Sequence, residues 1–160
     1  MRAILTVFTL PSDLQSQQSL IDRAEEDLMC AICLYREGAC GYLPLLNICY
    51  LLLQGIEKWL KVYIEIRDIT GVSTKGRDSH NISRFFNAVA EREPDLERIQ
   101  REVESIEPEL LSHKFNVDLR YNDTPTEIEN YIETLIPAAF DTRRVVKRFL
   151  KRRQEAPDQT

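Results

Sequence analysis

The feature that most constrains the fold is an apolar stretch that begins near Tyr42 and continues through Leu53. Its apolar residues fall on almost every side of a helical wheel, and such a helix has to be buried among other elements. Pro44 is tolerated in a first helical turn. The run is too short to span a bilayer, which needs about 20 apolar residues. The sequence therefore predicts a central, buried helix from Tyr42 to about Arg67.

Apolar residues recur at steps of three and four in four further stretches, which indicates more helices. Ser79 or Asn81 is expected to cap the third helix, and Pro137 to kink or split the last one. The narrow apolar stripe of the fourth helix, which ends at Ile106 and Leu110, is typical of an exposed two-helix seam. The predicted helices cover Ser19–Glu37, Tyr42–Arg67, Asn81–Arg92, Pro94 to about Leu110, and Thr124 to beyond Leu150.

These patterns predict an all-α fold, a single up-and-down bundle of four to five helices. The 160 residues suit one domain, and no linker divides them. We expect an N-terminal arm over residues 1–18, the helical bundle over 19–153 and a flexible tail over 154–160. The apolar run near the N-terminus is not followed by a cleavage pattern, so we predict no signal peptide, no membrane segment and a cytoplasmic location.

Charge is distributed unevenly along the chain. The formal net charge is -5, yet residues 141–160 hold seven Lys and Arg against three acids. This pattern is compatible with a last helix that binds RNA, DNA or an acidic partner, while a solvated helix end is the favoured interpretation. The residues that would contact nucleic acid are Arg144, Lys147, Arg148 and Lys151.

The four cysteines lie close together in sequence. Cys30 and Cys33 have the CxxC spacing of metal and redox sites, but no second such pair follows, and Cys40 and Cys49 fall in different contexts. We therefore expect ordinary buried, reduced thiols. No metal and no cofactor is predicted.

Three short motifs occur in an order that resembles the HEPN family. The helical pattern Gln–x–x–Glu–Lys–x–x–Lys is present, followed by a His–polar–aliphatic helix start and then by an Arg–Tyr pair before a polar turn. The resemblance covers about residues 19–136. The matching positions are Gln54, Glu57, Lys58 and Lys61, then His80-Asn81-Ile82, then Arg120-Tyr121-Asn122-Asp123.

This resemblance implies a helical bundle that forms a homodimer, and partners of the nucleotidyltransferase type, as in toxin–antitoxin systems. A nucleotide or other anion is a further ligand that we expect for such a module. A polar site formed by Lys58, Lys61, His80, Arg120 and Tyr121 is the predicted place for it. From the helical wheel alone, the polar stripe of the central helix (Asn47, Gln54, Lys58 and Lys61) is expected to face solvent, a partner or a buried polar contact, with solvent as the simplest interpretation.

Some members of the family are ribonucleases, which use an Arg, four to six intervening residues, and a His. Here Arg77 and His80 have only two residues between them. An alternative function is therefore a metal-independent ribonuclease with a rearranged site, in which His80 is the acid or base while Arg77 and Arg120 hold phosphate. The misplaced spacing favours a binding module without catalysis.

Overall fold

The computed structural model describes residues 15, 17–37, 42–76, 80–112, 115 and 127–155. Five α-helices and no strand lie within these residues, so the all-α prediction is confirmed. The second helix packs against the first, third and fifth, and the fourth packs against the third and fifth. The helices are α1 (Gln18–Arg36), α2 (Tyr42–Ile66), α3 (Ile82–Ala90), α4 (Pro94–Ile106) and α5 (Ile128–Glu155).

Helix α2 is the centre of the bundle, as its apolar sequence predicts. Every residue from Leu52 to Ile64 is buried except Lys58. Trp59 and Tyr63 are the largest of the side chains that are fully enclosed. Burial of this much apolar surface is the main source of stability in a bundle of this size.

Helix α1 crosses α2 closely at Gly55. A Cβ atom placed on Gly55 would lie 2.4 Å from Cδ2 of Leu28 and 2.9 Å from its Cγ. Leu28 is itself 1% exposed, so its side chain has little room to move. The glycine therefore allows the two helices to approach, in spite of the low helix propensity of glycine.

The helix ends follow local chemistry. Asn81 caps α3, since its side-chain oxygen accepts a hydrogen bond from the Arg84 amide at 3.0 Å. Pro94 occupies the first turn of α4, where it costs no hydrogen bond. At the end of α2, Nη1 of Arg153 donates to the Ile66 carbonyl oxygen at 2.6 Å and thereby ties α5 to the centre.

Several details differ from the sequence predictions. Helix α5 is not split at Pro137, which lies on its exposed side, where water can solvate the carbonyl that loses its donor. Helix α4 ends at Ile106, because Pro108 holds the preceding Glu107 in an extended conformation. Consequently Ile106 is exposed, and Leu110 is buried outside the helix.

The exposed seam predicted for α4 is also wrong, since Leu96, Ile99 and Val103 are buried in the common core. At the C-terminus α5 continues to Glu155, two residues beyond the predicted end of the bundle. The predicted start of the last helix at Thr124 lies outside the described residues.

The cysteines are not all buried. Cys30 and Cys33 lie exposed on α1, Cys49 is buried in α2, and Cys40 lies outside the described residues. The described residues contain no group of three or more side chains that could hold a metal ion.

This arrangement predicts selective thiol chemistry. Burial raises the pKa of the Cys49 thiol to about 12, and only the thiolate reacts. We expect iodoacetamide to modify Cys30 and Cys33 in the folded protein and to leave Cys49 unmodified, as measured by peptide mass mapping. Denatured protein, in which Cys49 should react, is the control. Equal labelling of Cys49 and Cys30 in the folded state would contradict the described packing.

Candidate functional site

Helix α2 carries the polar residues of the first motif along one side. Gln54, Glu57 and Lys61 are three and four residues apart, so their side chains lie above one another on the helix surface. All three are buried, with Glu57 only 2% exposed. The solvent-facing interpretation of this stripe is therefore wrong for Gln54 and Lys61, which take the alternative of a buried polar contact. An ionised carboxylate at such a position requires close donors.

Glu57 has those donors. Nζ of Lys61 donates to Oε1 of Glu57 at 2.6 Å, and Nε2 of Gln54 lies 3.3 Å from Oε2. Nδ1 of His80 lies 3.2 Å from both carboxylate oxygens. We call these four residues the Glu57 cluster. It joins α2 to the segment that enters α3, since His80 is 23 residues distant in sequence.

The surroundings of the cluster fix its geometry. Asn81, next to His80, caps α3 and so holds the backbone at this point. Nζ of Lys61 lies 5.6 Å from the ring centroid of the buried Phe85, within the range of a cation–π contact. One carboxylate and one ammonium group therefore neutralise each other in a largely desolvated place. Removal of only one member of such a pair strongly destabilises the fold, because it leaves the other charge buried without a partner.

Lys58 points away from the cluster, towards α1. Its ammonium group forms an ion pair with Asp27, and both side chains are about one-fifth exposed (18% and 20%). Asp27 is 31 residues away in sequence. The side of α1 that carries Asp27 gave no motif, so sequence patterns did not reveal this partner.

The predicted ligand site is therefore assembled only in part. Lys61 and His80 meet at Glu57, whereas Lys58 is paired with α1. Arg77, Arg120 and Tyr121 lie outside the described residues. The imidazole of His80 is 41% exposed, so one side of it faces outward while Nδ1 faces the carboxylate.

The basic end of α5 has acidic neighbours. Lys147 and Arg143 both contact Oε1 of Glu25 on α1, at 2.9 Å and 2.7 Å. Nζ of Lys147 also lies 5.7 Å from the Trp59 ring centroid, which places this side chain against the core. Lys147 thus fastens α5 to α1, a role different from the predicted contact with nucleic acid.

The other three cations predicted to bind nucleic acid lie further outward. Arg148 pairs with Asp95 at the start of α4. Arg144 and Lys151 are the most exposed, at 74% and 71%, and each contacts an acid on its own helix, Asp141 and Glu155 respectively. Exposed pairs of this kind contribute little to stability, so Arg144 and Lys151 can exchange partners.

The contacts of Glu25 predict a pH dependence. Burial raises the pKa of this carboxyl group, but hydrogen bonds from Arg143 and Lys147 outweigh it and lower the pKa below 4.5. A lowered folded-state pKa stabilises the fold above the unfolded-state value, and this stabilisation is lost as the pH falls through the folded-state value. We expect Glu25→Gln to cost about 1 kcal/mol at neutral pH.

Denaturant unfolding at neutral and at acidic pH measures this effect. The difference between wild type and Glu25→Gln should disappear in acid, where the carboxyl group is protonated. Glu26→Gln, at an exposed neighbouring position, is the matched control and should unfold like the wild type. A difference that persists in acid would rule out the charge of Glu25 as its cause.

No family model, no curated protein and no solved structure matches the chain. Among the helices described here, none is long and apolar enough to cross a membrane.

Proposed function

We propose that the chain is an HEPN-like helical module that self-associates and acts by binding a partner protein. The observation that carries this proposal is the Glu57 cluster. Two of the three motifs behind the resemblance, the polar stripe of α2 and the histidine before α3, meet at one carboxylate. Two motifs that matched by chance would not be expected to contact the same side chain, so this contact supports a common structural role for the two motifs.

The same contacts favour binding over catalysis. Lys61 and Glu57 neutralise each other inside the bundle, and Lys58 is neutralised by Asp27. A site that stabilises a phosphate transition state needs cations directed at the ligand. Since these two lysines are directed at carboxylates instead, the geometry argues against a nucleotide at this place, and the proposed partner, a protein of the nucleotidyltransferase type, follows from the resemblance.

Sedimentation equilibrium tests the self-association. The chain has a mass of 18.7 kDa, and we expect a species of twice this mass whose population falls on dilution. A monomer at every concentration would remove self-association from the proposal.

A second function, a metal-independent ribonuclease, is favoured by one observation. The contact of Nδ1 with Glu57 fixes the orientation of the His80 ring, as carboxylates do for histidines that transfer protons. Here His80 would serve as acid or base with Arg77 and Arg120 on phosphate. Incubation of the wild type and His80→Ala with mixed RNA tests it. Cleavage by the wild type alone supports the ribonuclease, and intact RNA with both removes it.

A further inference from the structure

The outward side of α5 carries six residues, and the steps between them are the same when read from either end of the helix. The steps between them are four, four, three, four and four, which keeps them on one side of the helix. They extend over about 28 Å at 1.5 Å per residue. All are exposed except Phe140, which is partly buried. The six, named here the α5 stripe, are Glu129, Glu133, Pro137, Phe140, Arg144 and Arg148.

The charges of the α5 stripe reverse about its midpoint. The two acids precede Pro137, and the two arginines follow Phe140. If a second α5 runs antiparallel across a two-fold axis, Glu133 lies opposite Arg144 of the second copy, and Glu129 lies opposite Arg148. A two-fold interface uses the same surface on both subunits, so it has to be self-complementary in this manner. A parallel pairing in register places each charge opposite its equal, which costs energy.

Apolar side chains flank the stripe on both sides. Three large apolar residues among the described ones are exposed, and two of them, Tyr35 and Ile106, border α5. Ile106 lines a groove of about 320 Å³ with Thr134 and Pro137 between α4 and α5. Tyr35 lines another of about 240 Å³ with Glu129 and Glu133. Exposed apolar groups beside a charged ridge are the composition expected of a protein interface.

The arginines of the stripe have partners within one chain, but these pairs are at the surface. Arg144 contacts Asp141 at 2.9 Å, and Arg148 contacts Asp95. Exposed ion pairs are weak and exchange readily. In the part of the chain that the structure describes, neither Glu129 nor Glu133 forms an ion pair. Among the described residues, the two acids of the stripe, Glu129 and Glu133, are therefore the charges that have no ion-pair partner.

We propose that two copies of the chain associate through antiparallel α5 stripes, with Glu133 of each paired to Arg144 of the other. This inference rests on the proposed self-association and supplies its surface. It assigns Arg144 and Arg148 to the interface instead of to nucleic acid.

Reversal of single charges tests the pairing. In a dimer of Glu133→Arg, the new arginine of each copy faces Arg144 of the other, so two pairs of like charges form. In a dimer of Arg144→Glu, the new acid of each copy faces Glu133 of the other, with the same result. We expect each variant to dimerise about ten- to a hundredfold more weakly than the wild type. The double variant Glu133→Arg/Arg144→Glu restores both pairs and should dimerise like the wild type.

Mixing the two single variants is the sharpest form of the experiment. Each is expected to be mainly monomeric alone, whereas the mixture forms a heterodimer in which both pairs are complementary. Sedimentation of each sample and of the mixture measures this, and recovery in the mixture also shows that both variants are folded. Glu26→Arg and Arg23→Glu, exposed positions on α1, are matched controls that should dimerise normally.

The outcomes separate the two proposals. A wild type that is dimeric, with single variants that stay equally dimeric or fail to recover on mixing, overturns the α5 interface and leaves self-association intact. A wild type that is monomeric overturns both.

Discussion

Replacement of Glu57 by alanine is expected to lower the free energy of unfolding by about 3–5 kcal/mol. The carboxylate is 2% exposed and accepts hydrogen bonds from Gln54 and Lys61, with His80 at 3.2 Å. Its removal leaves the largely buried ammonium group of Lys61 without a counter-charge. Since burial of an unpaired charge costs far more than an ordinary lost hydrogen bond, the effect should exceed that of most surface substitutions.

The double variant Glu57→Leu/Lys61→Met separates charge from packing. It removes both charges and fills the space with apolar groups, so we expect it to be clearly more stable than Glu57→Ala. Glu65→Ala is the matched control on the same helix, because Glu65 is only partly buried and accepts one hydrogen bond, from Thr74 at 2.7 Å. It should cost about 1 kcal/mol. If Glu57→Ala costs no more than Glu65→Ala, Glu57 does not hold the cluster together.

Replacement of Gly55 by alanine is expected to destabilise the protein by about 1–3 kcal/mol. In an exposed helix this change would stabilise by up to about 1 kcal/mol through helix propensity. Here the new methyl group would lie 2.4 Å from Leu28, so α1 has to move away from α2. Asn47→Ala, at an exposed position of α2, is the matched control and should be neutral or stabilising.

A double-mutant cycle with Leu28→Ala tests the cause. Leu28→Ala alone should cost about 2–5 kcal/mol, because it leaves a cavity. In the double variant Leu28→Ala/Gly55→Ala the methyl group added on α2 enters this space, so the total cost should be less than the sum of the single costs. Additive costs in denaturant unfolding would show that the contact with Leu28 is not what requires glycine.

The central helix could be predicted from sequence because its apolar pattern is strong and its ends carry clear signals. The bounds Tyr42–Ile66 agree with the predicted Tyr42 to Arg67 within one residue. The Asn81 cap was also predictable, since the interaction is local. That α5 continues through Pro137 without being split could not be predicted, because it depends on which side of the helix faces water.

The contacts of the Glu57 cluster could not be predicted from sequence patterns. A helical wheel places Gln54, Lys58 and Lys61 on one side of α2, but it does not say what covers that side. His80 and Asp27 do so, from 23 and 31 residues away, and such distances are set by how helices pack. Glu57 is part of the motif that carries the resemblance, but the contacts were needed to show that it accepts hydrogen bonds from the other members of the cluster.

We propose that the Glu57 cluster joins helices instead of holding a phosphate ligand. Titration of the folded chain with a nucleoside triphosphate, followed by amide NMR signals, tests this most directly. We expect the signals of Gln54, Glu57, Lys61 and His80 to stay unchanged. Saturable shifts at these residues, abolished by Lys61→Met in a variant that remains folded, would show that the cluster binds the ligand.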